Sequence, residues 1–257
     1  ADLVTAVLLA LALRRRGRPI TRVLLYAWCP LPVFEFWSNG HNDAWLLACL
    51  AAALAFRTQA SWFALGLATL TKWWPAMLVA LWPERGLKQA FAFLLPVGLG
   101  VALYWTNASE NAAFASGFVG GWRNNDLLFG ALSSLTGDAY RAKYLAFALL
   151  ALVVLALAGR PKGATMAVVA LLALSANIHP WYLTWLLPLL VFDPRPGLLL
   201  WLALAPLLHE AVIGWRIAGE WNGLSAGRWL VHGPAMVLVV LGFSRWSNAG
   251  TMKQKDS

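Results

Sequence analysis

PLPVFEFWSNGHNDAWLLACLAAALAFR, residues 30–57, places two carboxylates, a histidine and three amide or hydroxyl side chains between two apolar runs. Pro30 and Pro32 interrupt the first run, because proline carries no backbone N–H and crowds the preceding turn. Asn39 and Gly40 are a turn signal, and beyond Asp43 no charge follows until Arg57. The stretch reads as two apolar helices joined at a polar tip, a helical hairpin.

The rest of the chain shares this background. Of 257 residues, 60% are hydrophobic and 12% charged, a balance foreign to soluble domains. The predicted fold class is all-α and polytopic transmembrane: about eleven helical segments, including short broken hairpins, in a bilayer whose core takes about 20 helical residues per crossing. The formal charge of +9 does not mark a nucleic-acid partner, because the basic residues cluster between apolar runs, where they orient membrane segments. Arg14, Arg15, Arg16, Arg18, Arg22, Arg57, Arg85, Lys88, Arg160, Lys162, Arg195, Arg245, Lys253 and Lys255 are placed on the cytoplasmic side. Residues 20–57, 60–84 and 164–193 then leave and return to that side, so each is a hairpin with its tip outward. Single helices are expected near residues 1–14, 87–105, 142–158, 198–210 and 229–245. Outer connections fall at 105–141, with Phe114 and Phe118 on the membrane surface, and near 209–228. The transmembrane domain takes residues 1–246, and a polar, disordered cytoplasmic tail takes 247–257. Cys29 and Cys49 have neither disulfide nor metal spacing. The chain opens at Ala1 on an apolar run without a methionine or cleavage site, which reads as a fragment lacking its N-terminal part.

Three tips carry the polar residues: EFWSNGHND (35–43), TKWWP (71–75) and NIHPWY (177–182). Each arm of the second hairpin has about a dozen residues, reaching about 18 Å at about 1.5 Å per residue, so Lys72 sits below the outer surface. Non-helical backbone at that depth is tolerated where it lines a wet cavity or is buried in protein. An outward-facing cavity bounded by the tips is expected.

The segments CPLPVFEFWSNGHNDAWLLACLAAALAFR, ALGLATLTKWWPAMLVALWPER, WRNNDLLF and HPWYLTWLLPLL, in that order, resemble the polytopic glycosyltransferases of the C superfamily, bacterial polyprenyl-phosphate-sugar-dependent mannosyltransferases in particular. The likeness covers most of the chain from Asp2 to about Pro206. It implies an inverting transfer of a mannose-like hexose from a polyprenyl-phosphate donor to a glycan or glycolipid acceptor. The reaction would take place at the outer face of a bacterial plasma membrane, in cell-envelope glycolipid biosynthesis. It also implies that the main catalytic base, an aspartate in the first outer loop, precedes Ala1, so that the fragment could be inactive alone.

The tip residues suit such chemistry in their own right. Glycosyl transfer needs a group to take the acceptor proton and positive or hydrogen-bonding groups to stabilise the departing phosphate. Glu35 and Asp43 are the carboxylates available as base within the chain, and Lys72, Arg123 and His179 the groups for donor phosphate. His41, Asn42, Trp122, Asn125, Asp126, Trp181 and Tyr182 would take sugar or acceptor, and Trp73 adds an aromatic surface. No metal is required, although carboxylates beside a histidine are compatible with a divalent cation. Structural readings stand beside these. Asn42 or Asp43 caps the next helix, Asp126 caps another, Lys72 snorkels from a short helix, His41 is an interfacial turn residue, His179 packs, and Trp181 and Tyr182 join an aromatic belt. Glu35 is hardest to explain as structure, since an ionisable group within an apolar membrane run costs about 2.5–3.5 kcal/mol or more and as a rule faces a cavity.

Two other classes compete. A transporter or flippase of lipid-linked or small polar substrates also needs polar groups at broken helices, but it would show matching halves, and the chain has no clear pair. A non-catalytic membrane scaffold would leave Glu35 and Lys72 without a pocket.

Overall fold

The computed structural model describes residues 1–107, 110, 122–160, 162–221 and 227–253, with 243–253 described by their backbone alone. Among these residues the regular structure is all helical. The longer helices are α1 (Asp2–Arg15), α2 (Asp43–Ala55), α3 (Thr58–Thr71), α4 (Leu87–Leu103), α5 (Phe129–Thr136), α6 (Ala139–Leu157), α7 (Gly163–Leu174), α8 (Pro196–Leu204), α9 (Glu210–Ala218) and α10 (Arg228–Lys253). Phe114 and Phe118 lie outside the described residues.

Local chemistry sets several boundaries. Asp138 caps α6 by accepting the Arg141 backbone N–H at 2.8 Å, and Gly137, at φ +68°, ends α5 in the left-handed region that a side chain disfavours. Proline opens α8 and the 3₁₀ segment Pro180–Leu186, where its missing N–H costs nothing. Helices α1 to α4 pack in sequence, α5 to α7 pack pairwise, and α8 lies against α10. Gly66 lets α3 meet α4, for a Cβ there would fall 2.4 Å from the Phe93 carbonyl oxygen. The core runs through α2, α7 and the 180–190 segment, with Leu46, Leu47, Leu65, Leu172, Leu183 and Leu190 fully enclosed.

All three hairpins close at their bases. Arg15 and Arg16 donate to the carbonyls of Ala55 and Leu54 at 2.5 and 2.6 Å, satisfying the open end of α2. Thr58 donates its backbone N–H to Glu84 at 3.2 Å, and Lys162 and Arg195 both pair with Asp193 at 2.8 Å. Arg22 reaches the Phe192 carbonyl at 3.1 Å. Arg15, Arg16, Arg22, Lys162 and Arg195 thus gather at one end of the bundle, where they bind chain-end carbonyls or Asp193.

Three expectations change. The return arm of the second hairpin is a seven-residue 3₁₀ turn, Trp74–Ala80, rather than a dozen-residue helix; Pro75 falls in its first turn, where its missing N–H is tolerated. The outer loop expected from about His209 is helical as far as Ala218, because the turn Ala205–His209 passes directly into α9. The connection 105–141 contains α5.

The helical runs Ala139–Leu157 and Pro196–Ala218 are long and apolar enough to cross a membrane, while α2, α4, α7 and Arg228–Gly242 are apolar but shorter. The outer surface carries many large apolar side chains, including Trp28, Leu87, Leu103, Leu135, Tyr144 and Ile217.

Candidate functional site

The two prolines of the first arm lead into a π-helix, Val33–Ser38, that carries Glu35. A π-turn widens the helix by a residue and is frequent at functional sites. The chain then reverses at Gly40, whose φ of +69° suits glycine, and α2 begins. Glu35 is completely buried. Its Oε2 accepts from the Asn39 amide at 3.1 Å and faces His41 Nε2 at 3.5 Å, while Oε1 lies 3.0 Å from His209 Nε2. The contact with His209 is a close ionic one rather than a straight hydrogen bond. His209 Nδ1 faces the Pro206 carbonyl at 3.0 Å.

At the first position of α2, Asp43 is equally buried. Its Oδ1 accepts the Trp185 indole N–H at 2.7 Å, and its Oδ2 stands 3.5 Å from Lys72 Nζ. Neither Asp43 nor Asn42 caps α2 with its side chain; the capping reading fails because Asp43 points inward and Asn42 outward. Lys72 follows the last residue of α3, where the chain turns extended before Pro75, and its ammonium lies 6.0 Å from the Tyr182 ring centre.

A chain of rings joins the first tip to the third. His41 stacks on Trp181 at 3.9 Å, Trp181 on His179 at 4.4 Å, and Tyr182 on Trp185 at 4.4 Å, with Trp74 beyond. The three tips therefore meet at a single cluster. His179 Nδ1 stands 3.0 Å from the Asn124 amide, so this ring is held by the neighbouring strand-like segment.

Beside Lys72 opens a cavity of about 320 Å³, lined by Lys72, Trp73, Phe129, Lys143, Asn177 and Tyr182 among others. Lys143, on the first turns of α6, brings a second ammonium to the same space. In the sequence it reads as one more charge at the mouth of an apolar helix, and nothing in its neighbours marks it.

The segment from Trp122 to Asp126 behaves differently. It lies along the third tip through a short parallel bridge: Asn124 N donates to Ala176 O at 3.0 Å and Ile178 N to Asn124 O at 2.7 Å, while Asn177 reaches the Trp122 carbonyl at 2.9 Å. Asn125 donates to Leu208 O at 3.1 Å, and its own carbonyl meets His232 Nε2 at 2.8 Å. Arg123 closes onto the buried Asp126 at 2.5 Å. Asp126 thus pairs with Arg123 instead of capping α5, whose start has no side-chain cap. Among the described residues no contact links Arg123 or Asp126 to the Glu35, Asp43 and Lys72 cluster; Arg123 approaches the cavity only through Phe129, whose ring centre is 5.9 Å away. His209 was the functional candidate that sequence reasoning passed over. It sits inside a helical stretch far along the chain from Glu35, and only the packing brings them together.

No protein-family model, curated protein or solved structure matches the chain. Among the described residues no group of three or more side chains is arranged to hold a metal ion.

Proposed function

We propose that this chain acts as an inverting membrane glycosyltransferase that takes a mannose-like hexose from a polyprenyl-phosphate donor and passes it to a glycan or glycolipid acceptor. The reaction occurs on the outer side of the membrane. The observation that carries this reading is a cavity beside the second and third tips with two ammonium groups, Lys72 and Lys143, and aromatic walls, to which Asp43 of the first tip is joined through Lys72. Ammonium groups hold a phosphate as negative charge builds on its leaving oxygen, and the rings of Tyr182 and Trp73 offer flat faces to a sugar or an isoprenoid. Support for a membrane setting comes from the many large apolar side chains exposed on the outer surface and from the basic residues gathered at the end away from the tips.

The chemistry is a single displacement. The acceptor oxygen attacks the anomeric carbon and loses its proton to a base, and the bond from that carbon to the phosphate oxygen breaks, leaving lipid phosphate. Lys72 and Lys143 hold that phosphate. Asp43, fixed by Trp185, keeps Lys72 at the cavity mouth.

The test is transfer of radiolabelled sugar from polyprenyl-phosphate donors by the full-length protein in detergent or proteoliposomes. Lys72→Ala and Lys143→Ala should each raise the donor KM about tenfold or more, the scale of one lost charged contact. Normal donor KM in both variants overturns the site. A second reading has its own support: a buried carboxylate paired with imidazoles is also what proton-coupled carriers hold inside a membrane. Substrate uptake into proteoliposomes without any sugar transfer would establish that reading instead.

A further inference from the structure

We propose that a groove between α3 and α4 holds an acyl chain of an anionic glycerophospholipid, drawn from the leaflet on the basic side of the bundle, with the lipid phosphate at Lys88. The proposal rests on the membrane setting proposed above and not on sugar transfer. The groove encloses about 880 Å³ and shares no lining residue with the cavity beside Lys72. Helix α3, 14 residues and about 21 Å long at about 1.5 Å per residue, has Lys72 at one end and the groove's polar residues at the other. This is a second site.

The shape of the groove follows from residue size. Ala60 and Ala64 of α3 and Ala92 of α4 present only a methyl group, whereas Phe63, Phe91 and Leu95 rise around them and stay exposed. Of the side chains that line the groove, only Gln59 and Lys88 are polar, and both lie where α3 and α4 begin. An apolar trough with its polar groups at one end matches the division of a lipid into tail and headgroup.

The headgroup end offers a cation that the protein does not use. Glu84 accepts the Thr58 backbone N–H at 3.2 Å, and Arg85 donates to the carbonyls of Trp82 and Ala80. Lys88 is exposed and forms no ion pair among the described residues, and neither does Arg57 immediately before α3. A phosphate at Lys88 would gain a charge-assisted contact, and the Gln59 amide can donate to a chain ester. Basic pockets between helices on the cytoplasmic side are a recurrent place for anionic headgroups.

Length selects the occupant. The lining runs from Gln59 to Leu67 on α3 and from Leu87 to Leu95 on α4, about 12 Å along each helix. At the inner limit the helices close, with Gly66 against the Phe93 carbonyl. The groove therefore stays within one leaflet of a core about 30 Å thick. A partner helix or a second copy of this chain needs a face that runs the height of the helices, whereas a lipid chain does not.

The experiment is native mass spectrometry of the full-length protein released from detergent and titrated with phosphatidylglycerol or with phosphatidylcholine carrying the same chains. Phosphatidylglycerol should bind about fivefold tighter or more, the scale of one basic residue beside an anionic headgroup. Lys88→Gln should remove that preference and Lys88→Arg should keep it. Ala60→Phe, which sets a ring in the trough from an exposed position, should weaken both lipids. Equal binding of the two lipids by the wild type, or phosphatidylglycerol binding unmoved in Lys88→Gln or in Ala60→Phe, overturns the site. A wild-type dimer that Ala60→Phe breaks overturns it too, by giving the groove to a second copy. Sugar transfer keeps the readings apart, since the Lys88 and Ala60 variants should retain the wild-type rate. Transfer without lipid preference overturns the lipid site alone, and lipid preference without transfer overturns the transferase alone. Release of the protein from membranes by alkaline carbonate overturns the setting on which both rest.

Discussion

The ammonium of Lys72 stands 3.5 Å from the buried carboxylate of Asp43. The pair ties the second tip to the first, and its two halves are unequal: Lys72 is partly open to solvent, Asp43 fully enclosed. Removing Lys72 strands a charge in the interior, whereas removing both leaves none. Lys72→Met should lower thermal stability in detergent by about 1–3 kcal/mol, less than the roughly 3–5 kcal/mol seen when a fully buried pair is broken. Adding Asp43→Asn should recover much of that loss while donor turnover stays low. A double variant no more stable than Lys72→Met would mean that the pair is not coupled.

Trp185 offers a test of the same carboxylate from its other side. Trp185→Phe keeps the ring that stacks on Tyr182 and Trp74 but deletes the N–H that Asp43 Oδ1 accepts at 2.7 Å. An enclosed acceptor left without its donor costs about 1–3 kcal/mol, so the melting temperature should fall. The sugar-transfer rate should fall with it, since Asp43 then no longer fixes Lys72.

Two glycines of the packed α3–α4 pair should respond in opposite ways. A Cβ at Gly66 would meet the Phe93 carbonyl oxygen at 2.4 Å and the Pro96 side chain at 2.7 Å, whereas one at Gly98 meets nothing within 4 Å. Gly66→Ala should cost about 1–3 kcal/mol by forcing α3 from α4. Gly98→Ala should be neutral or gain up to about 1 kcal/mol from helix propensity. Thermal unfolding of the two variants side by side checks the register of the helix pair.

Much of the arrangement is legible before any coordinates. Arg15, Arg22, Lys162 and Arg195 mark the common base of the hairpins because apolar helices must end where their carbonyls find donors, and long cationic side chains supply them. Glu35, His41, Asp43, Lys72 and Trp181 announce themselves as polar or aromatic residues at proline-broken turns. What escapes is whatever depends on depth and partner. His209 looks like the end of one more apolar helix, yet it meets Glu35 from across the bundle. Lys143 resembles an ordinary interfacial charge, and its cavity exists only because α6 packs beside the second tip. Arg123 and Asp126 look like site residues but satisfy each other. The winding of Trp74–Ala80 and Val33–Ser38 is equally hidden, since 3₁₀ and π turns leave no periodic signature at such lengths.

The grip of Arg15 and Arg16 on the last carbonyls of α2 has a consequence for biogenesis. These two guanidiniums sit at the end of α1 and are made before the first hairpin, whereas their acceptors lie at its far end. On the membrane reading proposed above they would first be held on one side as bare cations, and would afterwards become a latch that closes only around a hairpin of the right length. An insertion or deletion of one residue in α2 would rotate its end by about 100° and leave the latch open. Its yield in the membrane should drop even though every segment keeps its hydrophobicity and its side.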